Sequence, residues 1–206
     1  MTDTPERMAD HWWWRPGWSV GRRFYTWHLT FADAPDVHQL AADYRHALAD
    51  VAGLDLIPDP WLHLTMQGIG FVGEVSESEA RAIAAAAAVH LAKVPAFDLA
   101  LGPAIVTPEA LLLKASPSAK VDAVRTAIRA GIGDLWSKVP EAADGFRPHV
   151  SVAYSNANGP AAPAAAALET VTSYPATFRV ATAELIVLHR DRRMYEWEPL
   201  VSVPLG

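Results

Sequence analysis

One order of elements occurs twice along this chain: strand, amphipathic helix, loop, then a strand carrying a histidine with a hydroxyl residue two places on. In the first copy Phe24 to Phe31, rich in aromatic and β-branched residues, reads as a strand. Val37, Leu40, Ala41, Tyr44, Leu48 and Val51 then recur at helical spacing and predict a helix stopped near Gly53. A turn with Pro58 and Pro60 leads into Trp61 to Gln67, whose alternation predicts a strand. The second copy has a strand at Leu111 to Ala115 and a helix capped by Ser118, with an apolar face of Val121, Val124, Ile128, Ile132 and Leu135. A loop with Pro140 and Gly145 follows, then a strand from Arg147 to Ala153. Phe31 and His63 are 32 residues apart, Leu113 and His149 36. No residue-level identity of any length accompanies this match, so what repeats is architecture.

The remaining segments fit the same plan. Ser76 and Glu79 form a capping box, each side chain satisfying a free backbone donor of the other, and open an Ala-rich helix running to about Lys93. Phe97 to Leu101 reads as a strand and the Ala/Pro stretch 160–170 as a short helix. Ala183 to His189 and Leu200 to Val203 read as a hairpin around Asp191-Arg192-Arg193. Residues 1–21 have neither helical nor alternating period. They are expected to form an extended segment docked by Trp12, Trp13, Trp14 and Trp18, because such rings are costly to leave in water.

Composition narrows the function classes. A net charge of −6 argues against a long nucleic-acid duplex as partner, since such binding is driven by neutralising phosphates with basic residues. A single terminal phosphate needs only a few aimed donors. The absence of cysteine excludes disulfides, thiolate metal sites and thiol nucleophiles. No apolar run is long enough for a membrane span, and a soluble cytoplasmic protein without membrane partners is expected. Nothing in the pattern specifies an oligomeric state.

The histidine tripeptide alone carries little weight. With 10 Ser and 11 Thr in 206 residues, eight histidines give about one such tripeptide by chance, and three occur, at His28, His63 and His149. Position selects among them. Side chains two apart on a strand share a face, so His63 and Thr65 point together, as do His149 and Ser151. If the two units face each other across one groove, two imidazoles and two hydroxyls surround a small anion. A neutral imidazole can then take a proton while a protonated one gives a proton to a leaving oxygen, and the hydroxyls hold the non-bridging oxygens, with no metal. Which histidine plays which part is open at this level.

His28 precedes the first helix, where the second unit has no histidine, so it is placed outside the catalytic pair but as a candidate groove lining. Arg147, Gln67 and Trp61 share strand parity with the catalytic histidines and are candidate substrate contacts: a phosphate donor, a polar lining and a base-stacking ring respectively. Convergence of His28, His63 and His149 on a metal is the competing reading, though no carboxylate accompanies them. Arg190, Arg192 and Arg193 read as surface charge, and His11, His38, His46 and His90 receive no role.

His63-Leu64-Thr65 and Arg147-Pro148-His149-Val150-Ser151-Val152 resemble the paired motifs of the 2H phosphoesterase superfamily, in its 2′-5′ RNA ligase and 2′,3′-cyclic phosphodiesterase group. The likeness runs over most of residues 22–206, including Leu188 to Arg192 and Tyr195-Glu196-Trp197, with Ser151 standing where many relatives have threonine. It implies an α+β domain over 22–206 of two pseudo-symmetric lobes, each an antiparallel sheet backed by helices, around a central groove. It further implies metal- and cofactor-free opening of a 2′,3′-cyclic phosphate on a nucleotide or RNA end by His63 and His149, with Thr65 and Ser151 steadying the phosphate. Joining or cleaving a 2′-5′ linkage, or nucleotide binding without catalysis, are the alternatives.

Overall fold

The computed structural model describes residues 4–206, so the first three residues of the N-terminal segment lie outside the described residues. The elements in chain order are β1 (Arg7–Met8), β2 (Phe24–Thr30), α1 (Pro35–Leu48), β3 (Leu54–Leu56), β4 (His63–Phe71) and α2 (Glu77–Leu91). Then come β5 (Phe97–Val106), β6 (Ala110–Ser116), α3 (Ser118–Gly133), β7 (His149–Ser155), β8 (Gly159–Pro160) and α4 (Ala162–Glu169). The chain ends with β9 (Ala176–Val180), β10 (Thr182–His189) and β11 (Glu196–Pro204). The fold is α+β. A four-stranded sheet has the order β11-β10-β2-β4, a five-stranded sheet the order β3-β7-β6-β5-β9, and β1 pairs with β8. The strands of both sheets pair antiparallel throughout.

Local chemistry accounts for most of these elements. Val37, Leu40, Ala41, Tyr44 and Leu48 are the buried face of α1, although the helix ends before Val51. The capping box forms at the start of α2, where Ser76 accepts from the Glu79 amide and Glu79 accepts from the Ser76 amide. Val121, Val124, Ile128 and Ile132 are buried along α3, but Leu135 lies beyond the helix and is half exposed. Ser118 is the first helical residue of α3 rather than its cap; Pro117 holds the cap position and no side chain caps the helix. β3 escapes the sequence reading because it is a three-residue edge strand, too short to display an alternation, whereas edge strand β9 (Ala-Thr-Phe-Arg-Val) does alternate and is missed.

The helices are distributed crosswise. β2 and β4, which flank α1 in sequence, are neighbours in the four-stranded sheet, yet α1 packs on β9, β7 and β3 of the five-stranded one. β6 and β7 flank α3 and are neighbours in the five-stranded sheet, whereas α3 packs on α2 and β4 while also touching β6. The α2–α3 approach is tight at Gly131, where an added Cβ would sit 2.4 Å from the Ala87 Cα. Each sheet also draws strands from both ends of the chain, so the two sequence halves are not two separate bodies. Among the described residues no helix is long and apolar enough to cross a membrane.

Candidate active site

His63 and His149 are each the first residue of a strand, delivered by a proline-containing turn and fixed by the same device. Arg45, in the last turn of α1, holds the first turn by donating to the Ile57 carbonyl (2.8 Å) and to Asp59 (2.6 Å). The second turn is clamped from α3: Arg125 donates to the carbonyls of Ala142 (2.8 Å) and Ala143 (2.7 Å), and Arg129 to that of Pro140 (3.1 Å). The Nδ1 of His63 lies 2.8 Å from the carbonyl of Trp61, and the Nδ1 of His149 lies 2.7 Å from the carbonyl of Arg147. A carbonyl only accepts, so in both rings Nδ1 carries the proton and Nε2 is left for a ligand. β4 and β7 pack against each other, and His63, Thr65, His149 and Ser151 line one groove of about 580 Å³.

The two rings differ in surroundings. His63 is buried, with the His28 ring stacked parallel to it at 4.3 Å and Trp197 edge-on at 5.2 Å. Burial pushes its pKa down to about 4, against the opposing pull of the Trp61 carbonyl and with a further lowering from His149. His28 is driven well below the ordinary histidine range by burial and then by His63. His149 is exposed.

The other sequence candidates separate. His28 lines the groove, as its strand position suggested. Gln67 does not. The β2–β4 register gives Thr65↔His28 but Gln67↔Trp27, so Met66 is an extra residue on β4. Such a bulge reverses the alternation and turns Gln67 to the far side of the sheet. There it is fully buried, accepts from Arg129 (2.6 Å) and donates to the Pro140 carbonyl (2.8 Å), helping to hold the loop that delivers His149. Trp61 sits in a 3₁₀ turn (Asp59–Trp61), so strand parity does not apply to it; it packs edge-on against Trp197 at 5.0 Å, outside the groove lining. Arg147 precedes the strand, and its side chain is exposed and away from the groove; its contribution is the carbonyl that holds His149.

The N-terminal segment supplies what the sequence reading missed. His11, Arg15 and Trp18 line the groove together with Glu109, Tyr154 and Tyr195. Glu109 accepts from His11 Nδ1 (3.1 Å) and Arg15 (2.8 Å), while His11 Nε2 accepts from the Tyr195 hydroxyl (3.0 Å). His11 stacks on Tyr154 at 4.3 Å, and burial, reinforced by Arg15 and Arg190, pushes its pKa down to about 3. Arg190 is no surface charge. It is buried among the rings of Trp12, Trp14, Trp18 and Tyr195 and donates to the Trp13 carbonyl (3.1 Å), pinning the segment, whereas Arg192 and Arg193 are exposed. Docking by tryptophan holds for Trp12, which is buried and bonded to Asp55, and for half-buried Trp18; Trp13 and Trp14 stay about half exposed. The clue in the sequence was the density of tryptophan around His11 and Arg15.

A three-histidine metal centre does not fit this geometry. His28 and His63 lie face to face, 7° from parallel, and stacked rings do not aim their nitrogens at a common point. Among the described residues, no three His, Asp or Glu side chains are grouped so as to hold a metal ion.

Residues 32–192 match the family model described as the 2'-5' RNA ligase superfamily, and the chain belongs to that family. The match spans both histidine motifs and leaves the tryptophan-rich segment outside it. Two solved structures share the fold. One is TT0787 of Thermus thermophilus, at 20% identity and a TM-score of 0.65, covering 89% of this chain and 97% of its own. The other is Escherichia coli LigT complexed with 3'-AMP, at 18% identity and 0.63, covering 90% and 99%. Comparison with curated proteins returned no significant match.

Proposed function

We propose that this protein is a phosphodiesterase that opens 2′,3′-cyclic phosphates on nucleotides or RNA ends by acid and base catalysis between His63 and His149. The observation that carries the reading is the shared device: each imidazole has Nδ1 fixed by the carbonyl two residues back, leaving Nε2 for one groove that also holds Thr65 and Ser151. His63, buried and neutral, takes the proton of the attacking water. Water oxygen bonds to phosphorus, the ring P–O bond breaks, and exposed His149, entering the step as the imidazolium with a proton on Nε2 as well as Nδ1, gives the Nε2 proton to the departing sugar oxygen. The product is a phosphomonoester beside a free hydroxyl. Thr65 and Ser151 donate to the non-bridging oxygens, where charge accumulates. Proton transfers and hydrogen bonds suffice for these steps, without a cofactor.

The groove's 580 Å³ lies within the ~300–1,000 Å³ typical of small-ligand sites, which suits a nucleotide-sized substrate. The Escherichia coli LigT structures with 3'-AMP, ATP and phosphate support nucleotides as the ligand class. Joining RNA ends through a 2′-5′ linkage would use the same imidazoles, but the chain's net charge of −6 disfavours a second polyanionic strand. We read residues 22–206 as one domain of two lobes related by an approximate twofold axis, with the tryptophan-rich segment as a wall of its groove. The test is a panel of 2′,3′-cyclic nucleotides followed by phosphorus NMR. Ring opening to a monoester is expected, and tight binding with no product after long incubation would make the protein a nucleotide-binding module instead.

A further inference from the structure

His28 has no counterpart among the residues given catalytic work, yet it is the most deeply buried histidine of the groove. It stands opposite Thr65 in the β2–β4 register, with its Nε2 3.4 Å from the Thr65 hydroxyl oxygen. Its Nδ1 is buried with no hydrogen-bond partner. Burial and the neighbouring His63 keep the ring neutral, so it carries one N–H, on one nitrogen or the other. Placed on Nδ1, that proton would be an orphaned buried donor, the rarer and costlier defect; a bare Nδ1 lone pair is the milder one. The proton therefore belongs on Nε2, where it is donated to Thr65. A threonine oxygen that accepts this bond keeps its own proton free to swing into the groove.

We propose that His28 is a positioning residue, which orients the Thr65 hydroxyl as a donor to the bound phosphoryl group and backs the His63 ring by stacking on it. The opposite strand pair has no such histidine: the residue across from Ser151 is Leu112, and the polar side chain beside Ser151 is Tyr154. The inference rests on the groove being a phosphate site, as in the function proposed above, but not on turnover.

Two measurements test it. Nitrogen-15 imidazole NMR of the unmodified protein reads the tautomer directly; a protonated Nε2 and a bare Nδ1 at His28 are expected, and a proton on Nδ1 overturns the proposal. The second is a double-mutant cycle with inorganic phosphate as the probe. His28→Phe keeps a stacked ring and removes the donor, and Thr65→Val keeps the shape and removes the hydroxyl. Each should weaken phosphate binding about tenfold, the scale of one hydrogen bond to a charged group, with the double variant no weaker than Thr65→Val alone. Additive losses near a hundredfold, wild-type affinity in His28→Phe, or no phosphate binding by the parent protein would each reject it. A non-additive cycle in a protein that opens no cyclic phosphate would instead remove the hydrolytic reading and leave this one standing.

Discussion

β4 and β7 start with the same chemistry and put it in different solvents. Both begin with a histidine whose Nδ1 is fixed by the carbonyl two residues back, and both carry a hydroxyl residue two places on. Around His63 stand His28, Trp197 and Tyr195, while His149 faces water. A repeated local motif thus yields two non-equivalent imidazoles because the packing around them is not repeated. Acid and base roles on one substrate require two titratable groups in different surroundings, and burial lowers the proton affinity of His63.

The largest test of this contrast is removal of either ring. His63→Ala and His149→Ala are each expected to cut turnover of 2′,3′-cyclic nucleotides by ~10²–10⁴-fold with the circular dichroism spectrum unchanged. Near-normal activity in either variant would dissolve the pairing. Next is the acid sensitivity of the buried histidines. His63 and His11 titrate near 4 and 3 in the folded chain against 6.5 as the ordinary value, and His28 is likewise lowered. The unfolded chain therefore binds more protons than the folded one in this window. Stability held above the ordinary histidine range should fall as pH drops from 6.5 toward 4, at roughly 1.4 kcal/mol per pH unit for each such group. Denaturant midpoints measured across that range check it, and a flat profile would mean these rings are not buried neutral.

Ser151→Ala should lower kcat about tenfold, one charge-assisted hydrogen bond, measured with a cyclic nucleotide at saturation. The smallest effect probes the wall around His63. As base, His63 must be neutral, so kcat/KM should hold down to about pH 4 before falling. Trp197→Leu opens that wall and should move the acid limb upward by less than about one pH unit. An unmoved limb would assign the lowered proton affinity to other neighbours.

Much of the scaffold was legible because it is written in short-range patterns: the apolar face of α1, the capping box at Ser76, and the aromatic and β-branched run of β2. The quartet proposed as catalytic was legible only through the repeated element order, since the tripeptide itself is common. What failed did so for identifiable physical reasons. Parity from His63 breaks at Gln67 because one extra residue, Met66, bulges the strand, and no local signal marks that insertion. Parity also fails at Trp61 and Arg147, since both strands begin at the histidine itself. His11 and Arg15 were marked only by the tryptophans around them, because their partner, Glu109, is more than 90 residues away in sequence.

The crosswise placement of the elements also bears on how the chain can be made. β2 is an inner strand, yet its neighbour β10 follows it by about 150 residues along the chain. During synthesis one hydrogen-bonding edge of β2 must wait, unpaired, while most of the polypeptide is still being added. α1, released soon after it, can reach the β7 and β9 strands it covers only once the chain has been made as far as residues 155 and 180. Neither half could therefore be excised or exchanged as a module.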